Sequence, residues 1–386
     1  MLPLHLKNAP APDNDATAHS ARLIAVIAAE IERNGGWMSF ARFMDLALHA
    51  PGLGYYSAGA AKFGAAGDFV TAPGLGKLFG RTLARQIAQI LADVPDVLEL
   101  GAGTGKLACD VLRELASLEQ LPRRYKILET SADLRARQQG LLHRELPQLV
   151  DRVEWLDAFP AALEACVIAN EVLDAMPVHV VEATANGIDE RGVTWIDGRF
   201  HWVNRPAAGN VLAAASALQL PSGYVTELNL AASGFMAELG RSLVKGAAFL
   251  IDYGFPAREF YHPQRSRGTL MCHYRHHAHD DPLSLVGLQD ITAHVDFTAV
   301  AHAALDAQLE VLGYASQTQF LINCGITDLL GEISPEDPAA YLPLVAEAQK
   351  LMSPAEMGEL FKVIACGRGI AAPLLGFSRG DKRAQL

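Results

Sequence analysis

The sequence predicts an α/β fold, a parallel sheet with helices on both faces. Three observations predict it. Val97-Leu98-Glu99-Leu100 reads as a buried strand, breaks into glycines at Gly101, Gly103 and Gly105, and runs into a helical pattern from Leu107 to Leu115. Strand and helix then alternate for some hundred residues. Finally, half of the 386 residues are hydrophobic, 19% are charged and there is no long polar tract, which suits a large globular core.

The elements follow from local pattern. Leu23, Ile24, Ile27 and Ile31 form a helical stripe within 17–33, and Gly35-Gly36 ends it. Ser39 is placed to cap a helix over 40–49, stopped by Ala50-Pro51-Gly52. A glycine-rich but apolar segment, 62–73, fits neither a regular element nor a solvated loop. A helix over 74–91 leads into the glycine strand. Further strands are expected at 124–128, 153–156, 166–169 and 247–252, with late ones at 314–318 and 361–366. Short strands around Asn186-Gly187 and Asp197-Gly198 predict a small antiparallel insertion. Helices are expected at 131–144, 211–218, 226–243, 297–312, 320–331 and 339–351. The stretch 255–295 reads as a long loop, and 377–386 as a polar, frayed end.

Chemistry is expected where these strands end. A glycine turn between strand and helix offers backbone amides to a nucleotide-like ligand, because each glycine tolerates conformations that a Cβ resists. A dinucleotide site needs G-x-G-x-x-G, but Lys106 stands at the last position and Gly105 comes one residue early. The spacing E-x-G-x-G-x-G resembles motif I of the class I S-adenosylmethionine methyltransferases. Glu129 ends the next strand, where an acid can accept both ribose hydroxyls. Asp157 ends the third strand and can take an adenine amino group, with Ala158 completing the slot. Asn170-Glu171 and Asp252-Tyr253-Gly254 end the fourth and fifth. Any one of these acids can instead be a helix cap or a surface ion pair. Glu171 and Asp174 suit a guanidinium, which carries a charge and a fixed fork of donors. Both can equally be structural, since sequence does not orient them.

Composition narrows the classes. A net charge of −11 and a pI near 5.6 argue against a nucleic-acid binder. Five scattered cysteines without C-x-x-C fit a reducing compartment. No apolar run approaches the roughly 20 residues needed to cross a bilayer, so no membrane insertion is expected. With no signal pattern or mitochondrial presequence, the chain reads as cytoplasmic and bacterial. Cys272, His273, His276, His277, His279, Asp280 and Asp281 are ligand types for zinc or iron, but no metal frame spaces them. They read as a polar lid with Arg265, Arg267, His294 and Asp296, and no metal is expected.

Longer strings carry a closer resemblance. They are Pro51-Gly52-Leu53-Gly54-Tyr55-Tyr56, Gly67 to Pro73, Leu98 to Gly105, Asn170-Glu171-Val172-Leu173-Asp174-Ala175-Met176-Pro177, Ile251 to Gly254, Arg267 to Leu270 and Asp290-Ile291-Thr292-Ala293-His294-Val295-Asp296-Phe297. Together they resemble the MidA-type methyltransferases, whose mitochondrial members are complex I assembly factors. The resemblance implies a Rossmann-like class I methyltransferase sheet with an N-terminal helical extension, a small β-hairpin insertion and a lid insertion. Residues 1–75 would be the extension and cofactor-covering loop, and 76–386 the core, with hairpins at 178–210 and a lid over the acceptor site at 255–296. It implies S-adenosylmethionine, contacted by Asp68, Phe69, Thr71, Pro73, Glu99, Gly101, Ala102, Gly103, Gly105, Leu107, Glu129, Thr130, Ser131, Leu134, Asp157, Ala158, Asn170, Glu171 and Met176. It implies catalytic roles for Glu171, Asp174, Asp252 and His294. The expected reaction is symmetric dimethylation of an arginine in a respiratory subunit of the complex I type. The alternatives are an assembly factor that binds the cofactor with little catalysis, and a methyltransferase acting on a small molecule.

Overall fold

The computed structural model describes residues 9–57 and 71–386. Asp68 and Phe69 lie outside the described residues. The chain forms two compact units, one from 71–173, 233–257 and 295–386, the other from 9–57, 174–232 and 258–294.

The larger unit is built on an eight-stranded sheet. Its main strands are β1 (Asp96–Leu100), β2 (Arg124–Leu128), β3 (Val153–Leu156), β4 (Leu163–Asn170), β5 (Leu243–Phe255), β6 (Glu310–Ser316) and β7 (Phe361–Arg368). Their spatial order is β6-β7-β5-β4-β1-β2-β3, and the short strand Val295–Asp296 pairs with the end of β5. The order reverses at β1, which places a switch point at its carboxyl end. Central strands are apolar throughout because helices cover both faces: Val97, Ile127, Cys166, Ile168, Ala247 and Phe249 are all fully buried. Helix α1 (Lys106–Ser117) follows the glycine turn and α2 (Ala132–Glu145) follows β2.

The sheet is mixed where a parallel one was expected. β7 runs antiparallel to both β5 and β6. Three helices, Gln317–Asn323, Ile326–Gly331 and Pro338–Met352, separate β6 from β7. They return the chain at the end where β6 leaves. The expected frayed end is docked. Phe377 is buried, Lys382 N donates to Tyr314 O at 2.6 Å, and Asp381 accepts from Tyr314 N at 3.1 Å.

The smaller unit joins the helices Asn14–Arg33 and Phe40–His49 to a five-stranded antiparallel sheet of Met38–Ser39, His179–Thr184, Gly187–Ile196, Arg199–Pro206 and Val225–Leu228. Ser39 caps its helix through Arg42 N at 3.2 Å, as its position in the sequence suggests. The stripe Leu23, Ile27 and Ile31 packs with Phe40, Phe43, Val180 and Val193 in one core. Val225–Leu228, read as the start of a helix, is a strand, because it completes an antiparallel pair with His179–Thr184. The expected loop at 255–295 holds a three-stranded sheet, Met271–Tyr274, His277–His279 and Asp290–Thr292. Arg275 and His276, with φ of 47° and 65°, make its tight turn. The histidine-rich stretch is therefore a hairpin. Among the described residues no His, Cys, Asp or Glu group is placed to hold a metal ion, and no helix is long and apolar enough to cross a membrane.

Candidate active site

The strand register lines the expected residues into one row. Leu156, Leu128, Leu100, Ala169 and Leu250 are partners across five neighbouring strands. The residues that follow them are Asp157, Glu129, Gly101, Asn170 and Ile251. Polar groups thus stand side by side at the carboxyl edge, where an open α/β sheet takes its ligand.

The glycine turn is left-handed three times over: φ is 63° at Gly101, 52° at Gly103 and 84° at Gly105. A Cβ on Gly105 would meet Gln138 Cα at 3.2 Å, and one on Gly101 would meet Val172 Cγ2 at 3.1 Å. Glycine is required here both by conformation and by space. Ala102 and Leu107 are buried beneath the turn. Lys106 turns its amine to Gly76 O at 2.8 Å and to the buried Asp110. It thereby ties the short helix Ala72–Leu75, entered by Thr71 and containing Pro73, to the start of α1.

Glu99 lies within β1, buried, and accepts from the Tyr125 hydroxyl at 2.6 Å. Burial raises its pKa to about 7, against the Tyr125 hydrogen bond, and the nearby Glu129 carboxylate adds to the rise. Glu129 is also buried. Its Oε1 accepts from Ser131 N at 2.9 Å and its Oε2 from Gln138 Nε2 at 3.0 Å. Burial raises its pKa, opposed by Ser131, Gln138 and Arg135. Ser131 caps α2 through Leu134 N at 3.4 Å, Leu134 is buried and Thr130 is exposed. Asp157 differs from Glu129. Its side chain is 86% exposed and paired with Arg135 at 2.6 Å, and Ala158 is exposed beside it. Arg135 also donates to the carbonyls of Glu129 and Leu156, so it binds the ends of β2 and β3 together.

At the end of β4, Glu171 has a φ of 52°, uncommon outside glycine, and its amide donates to Ile251 O at 2.8 Å. Its Oε1 accepts from Asn170 Nδ2 at 3.0 Å and from Ala72 N at 3.4 Å. Asn170 Oδ1 is buried without a hydrogen-bond partner among the described residues. Asp252, almost fully buried, accepts from Leu173 N at 3.0 Å and Tyr253 N at 2.9 Å. It holds the bend that follows Glu171.

Asp174, Met176 and His294 belong to the smaller unit. Asp174 is buried and its carbonyl accepts from Ala293 N at 3.0 Å, while Met176 is half-buried. His294 N donates to Thr269 Oγ1 at 3.1 Å, and that hydroxyl donates to the buried Glu227 at 3.0 Å. Two residues not singled out from sequence join them. The Tyr56 hydroxyl donates to Asp290 at 2.8 Å, and burial together with the Asp290 and Asp174 carboxylates pushes its pKa well above the usual tyrosine range. Both sit in the strings that carried the resemblance, which was the available signal. All five cysteines are buried, and burial pushes the Cys109 and Cys366 thiols up to about 12, so neither serves as a nucleophile at neutral pH.

These residues fit a sulfonium nucleoside carrying an amino acid. The glycine turn follows the strand at the sheet's ligand-binding edge, a buried carboxylate beside it can accept from a diol, and the Asn170 oxygen, buried without a partner among the described residues, can accept from an ammonium group. Fold and site together define a class I methyltransferase. Residues 80–315 match the family of S-adenosyl-L-methionine-dependent methyltransferases, and the chain belongs to it. It is an S-adenosylmethionine-dependent methyltransferase.

Solved and curated relatives agree. A COG1565 superfamily member from Burkholderia thailandensis, solved bound to S-adenosyl-homocysteine, is 51% identical with a TM-score of 0.95, covering 98% of this chain and 100% of that one. The protein arginine methyltransferase NDUFAF7, mitochondrial, of Danio rerio is 29% identical, spanning 85% of this chain and 82% of its own. Its Mus musculus counterpart is 28% identical, over 93% and 86%. These mitochondrial relatives overturn the cytoplasmic placement expected from the sequence. Acidic composition, unpaired cysteines and the lack of an apolar span describe many aqueous compartments equally well.

Proposed function

We propose that this enzyme methylates an arginine side chain of a protein, giving symmetric dimethylarginine, and that its target is a respiratory subunit of the complex I type. The curated relatives carry this reading: they are named protein arginine methyltransferases over most of both chains. When bound, S-adenosylmethionine supplies an electrophilic methyl group. Glu129 would accept from the ribose hydroxyls and Asn170 Oδ1 from the amino group, with the glycine turn between them. Thr71 and Pro73 cover the cofactor, since their segment is fastened to Lys106 on one side and Glu171 on the other. Glu171 binds the guanidinium and takes its proton. The left-handed backbone and the Asn170 amide give its carboxylate one orientation, which a displacement in line with the methyl group requires. Asp252 holds the Glu171 bend and does not touch the acceptor.

The test is incubation with methyl-labelled cofactor and lysate from cells lacking the protein, followed by hydrolysis of the labelled protein. Label in symmetric dimethylarginine, absent with Glu171→Gln, is expected. Label in another amino acid, or only in small molecules, would overturn the proposal.

A further inference from the structure

Gln138 was not among the residues expected to matter, yet it joins three walls of the cofactor site. It lies in α2 and is fully buried. Its Nε2 donates to Gly103 O in the glycine turn at 3.0 Å and to Glu129 Oε2 at 3.0 Å. Its Oε1 accepts from Trp155 Nε1 on β3, also at 3.0 Å. Its Cα and side chain fill the space in which a Cβ of Gly105 would stand. One carboxamide therefore uses both donors and its acceptor on three different strand ends.

We propose that Gln138 is a positioning residue for the cofactor: it sets the orientation and charge state of Glu129 and registers that carboxylate against the glycine turn. The proposal rests on the assignment of Glu129 to the ribose. The chemistry is specific to an amide. A buried carboxylate rotates unless both oxygens are held. Ser131 N holds Oε1 and Gln138 holds Oε2, so the plane of the carboxylate is fixed. The Gln138 donor also favours the ionised form of Glu129, which burial disfavours. Among the natural side chains only glutamine offers two donors and an acceptor at these positions with this shape.

The test measures binding of S-adenosylhomocysteine and of its 2′-deoxy analogue to wild type, Gln138→Leu and Gln138→Glu by titration calorimetry. For Gln138→Leu, affinity for S-adenosylhomocysteine falls about ten-fold or more, whereas affinity for the deoxy analogue falls less, because one of the two hydroxyl contacts that Gln138 supports is already missing. Gln138→Glu keeps the shape if leucine does not fold. Its protonated form keeps one of the two donors, which can still serve Glu129, and its ionised form repels Glu129. Its affinity for S-adenosylhomocysteine is therefore within about three-fold of wild type at about pH 5.5 and falls about ten-fold or more by about pH 8, a steeper slope than the wild type shows as Glu99 ionises beside Glu129. Equal losses for both ligands together with a pH profile parallel to that of the wild type would overturn the positioning role and leave the cofactor site standing. Wild type that binds neither ligand would overturn the Glu129 assignment as well.

Discussion

The Tyr125 hydroxyl donates to the Glu99 carboxyl group at 2.6 Å inside the sheet, a buried hydrogen bond between two neighbouring strands. Burial raises the Glu99 pKa from its ordinary 4.5 to about 7. The native state therefore holds a proton that the unfolded chain gives up, and stability falls as pH rises from 4.5 toward 7. The full loss is on the order of 3 kcal/mol. Glu99→Gln keeps an acceptor for Tyr125 and removes the titration. Its urea midpoint is expected to exceed that of wild type at about pH 8 and to approach it near pH 5. A difference between the two proteins that does not change with pH would show that Glu99 ionises normally in the fold.

Gly105→Ala meets two obstacles, the φ of 84° and Gln138 Cα at 3.2 Å. Left-handed backbone alone costs an alanine about 1–2 kcal/mol. The displaced Gln138 would also disturb Glu129, so affinity for S-adenosylhomocysteine should fall at least about ten-fold. Calorimetry and thermal unfolding on the same sample separate the two effects. Wild-type affinity in a destabilised variant would mean that the turn bends without moving the ribose acid.

Two acids at neighbouring strand ends should behave differently. Glu129 is buried and held at both oxygens, whereas Asp157 is 86% exposed and paired with Arg135. Glu129→Ala is expected to weaken S-adenosylhomocysteine binding by about 10–100-fold, the worth of hydrogen bonds to a charged group. Asp157→Ala should change it by less than about three-fold, because solvent screens an exposed pair. The reverse order would move the ribose contact to the third strand.

Much of this was legible in the chain because it depends on local rules. The glycine turn announces itself by spacing, and an acid after an apolar strand is placed by the sheet. Gln138 was hidden: it sits among Arg135, Arg137 and Gln139 in a polar helix, and nothing local marks which glutamine turns inward. Asp252 was visible as a strand-end acid, but not its task, since its partner amide at Leu173 is 79 residues away. Val225–Leu228 reads as helix for the same reason, its strand partner lying about 45 residues upstream. Arg275-His276 forms a tight turn without glycine, so no turn signal marked the hairpin inside the long loop.

Glu171 and Asp252 separate function from architecture most cleanly. Glu171 holds a left-handed backbone that a non-glycine residue adopts at a cost, and such strain persists where it serves a site. Glu171→Gly relieves that backbone by about 1 kcal/mol but frees Ala72 N and Asn170 Nδ2, so it should stay within about 1 kcal/mol of wild-type stability, bind the cofactor more weakly and lose methyl transfer altogether. Asp252→Ala leaves the amides of Leu173 and Tyr253 without their carboxylate, costing about 2–3 kcal/mol. That variant should unfold earlier and transfer poorly, because the bend carrying Glu171 is no longer held. Thermal unfolding and transfer of labelled methyl to lysate protein read both variants. Full activity in Glu171→Gly would remove Glu171 from proton acceptance. Undiminished stability in Asp252→Ala would show that the bend is held by its backbone alone.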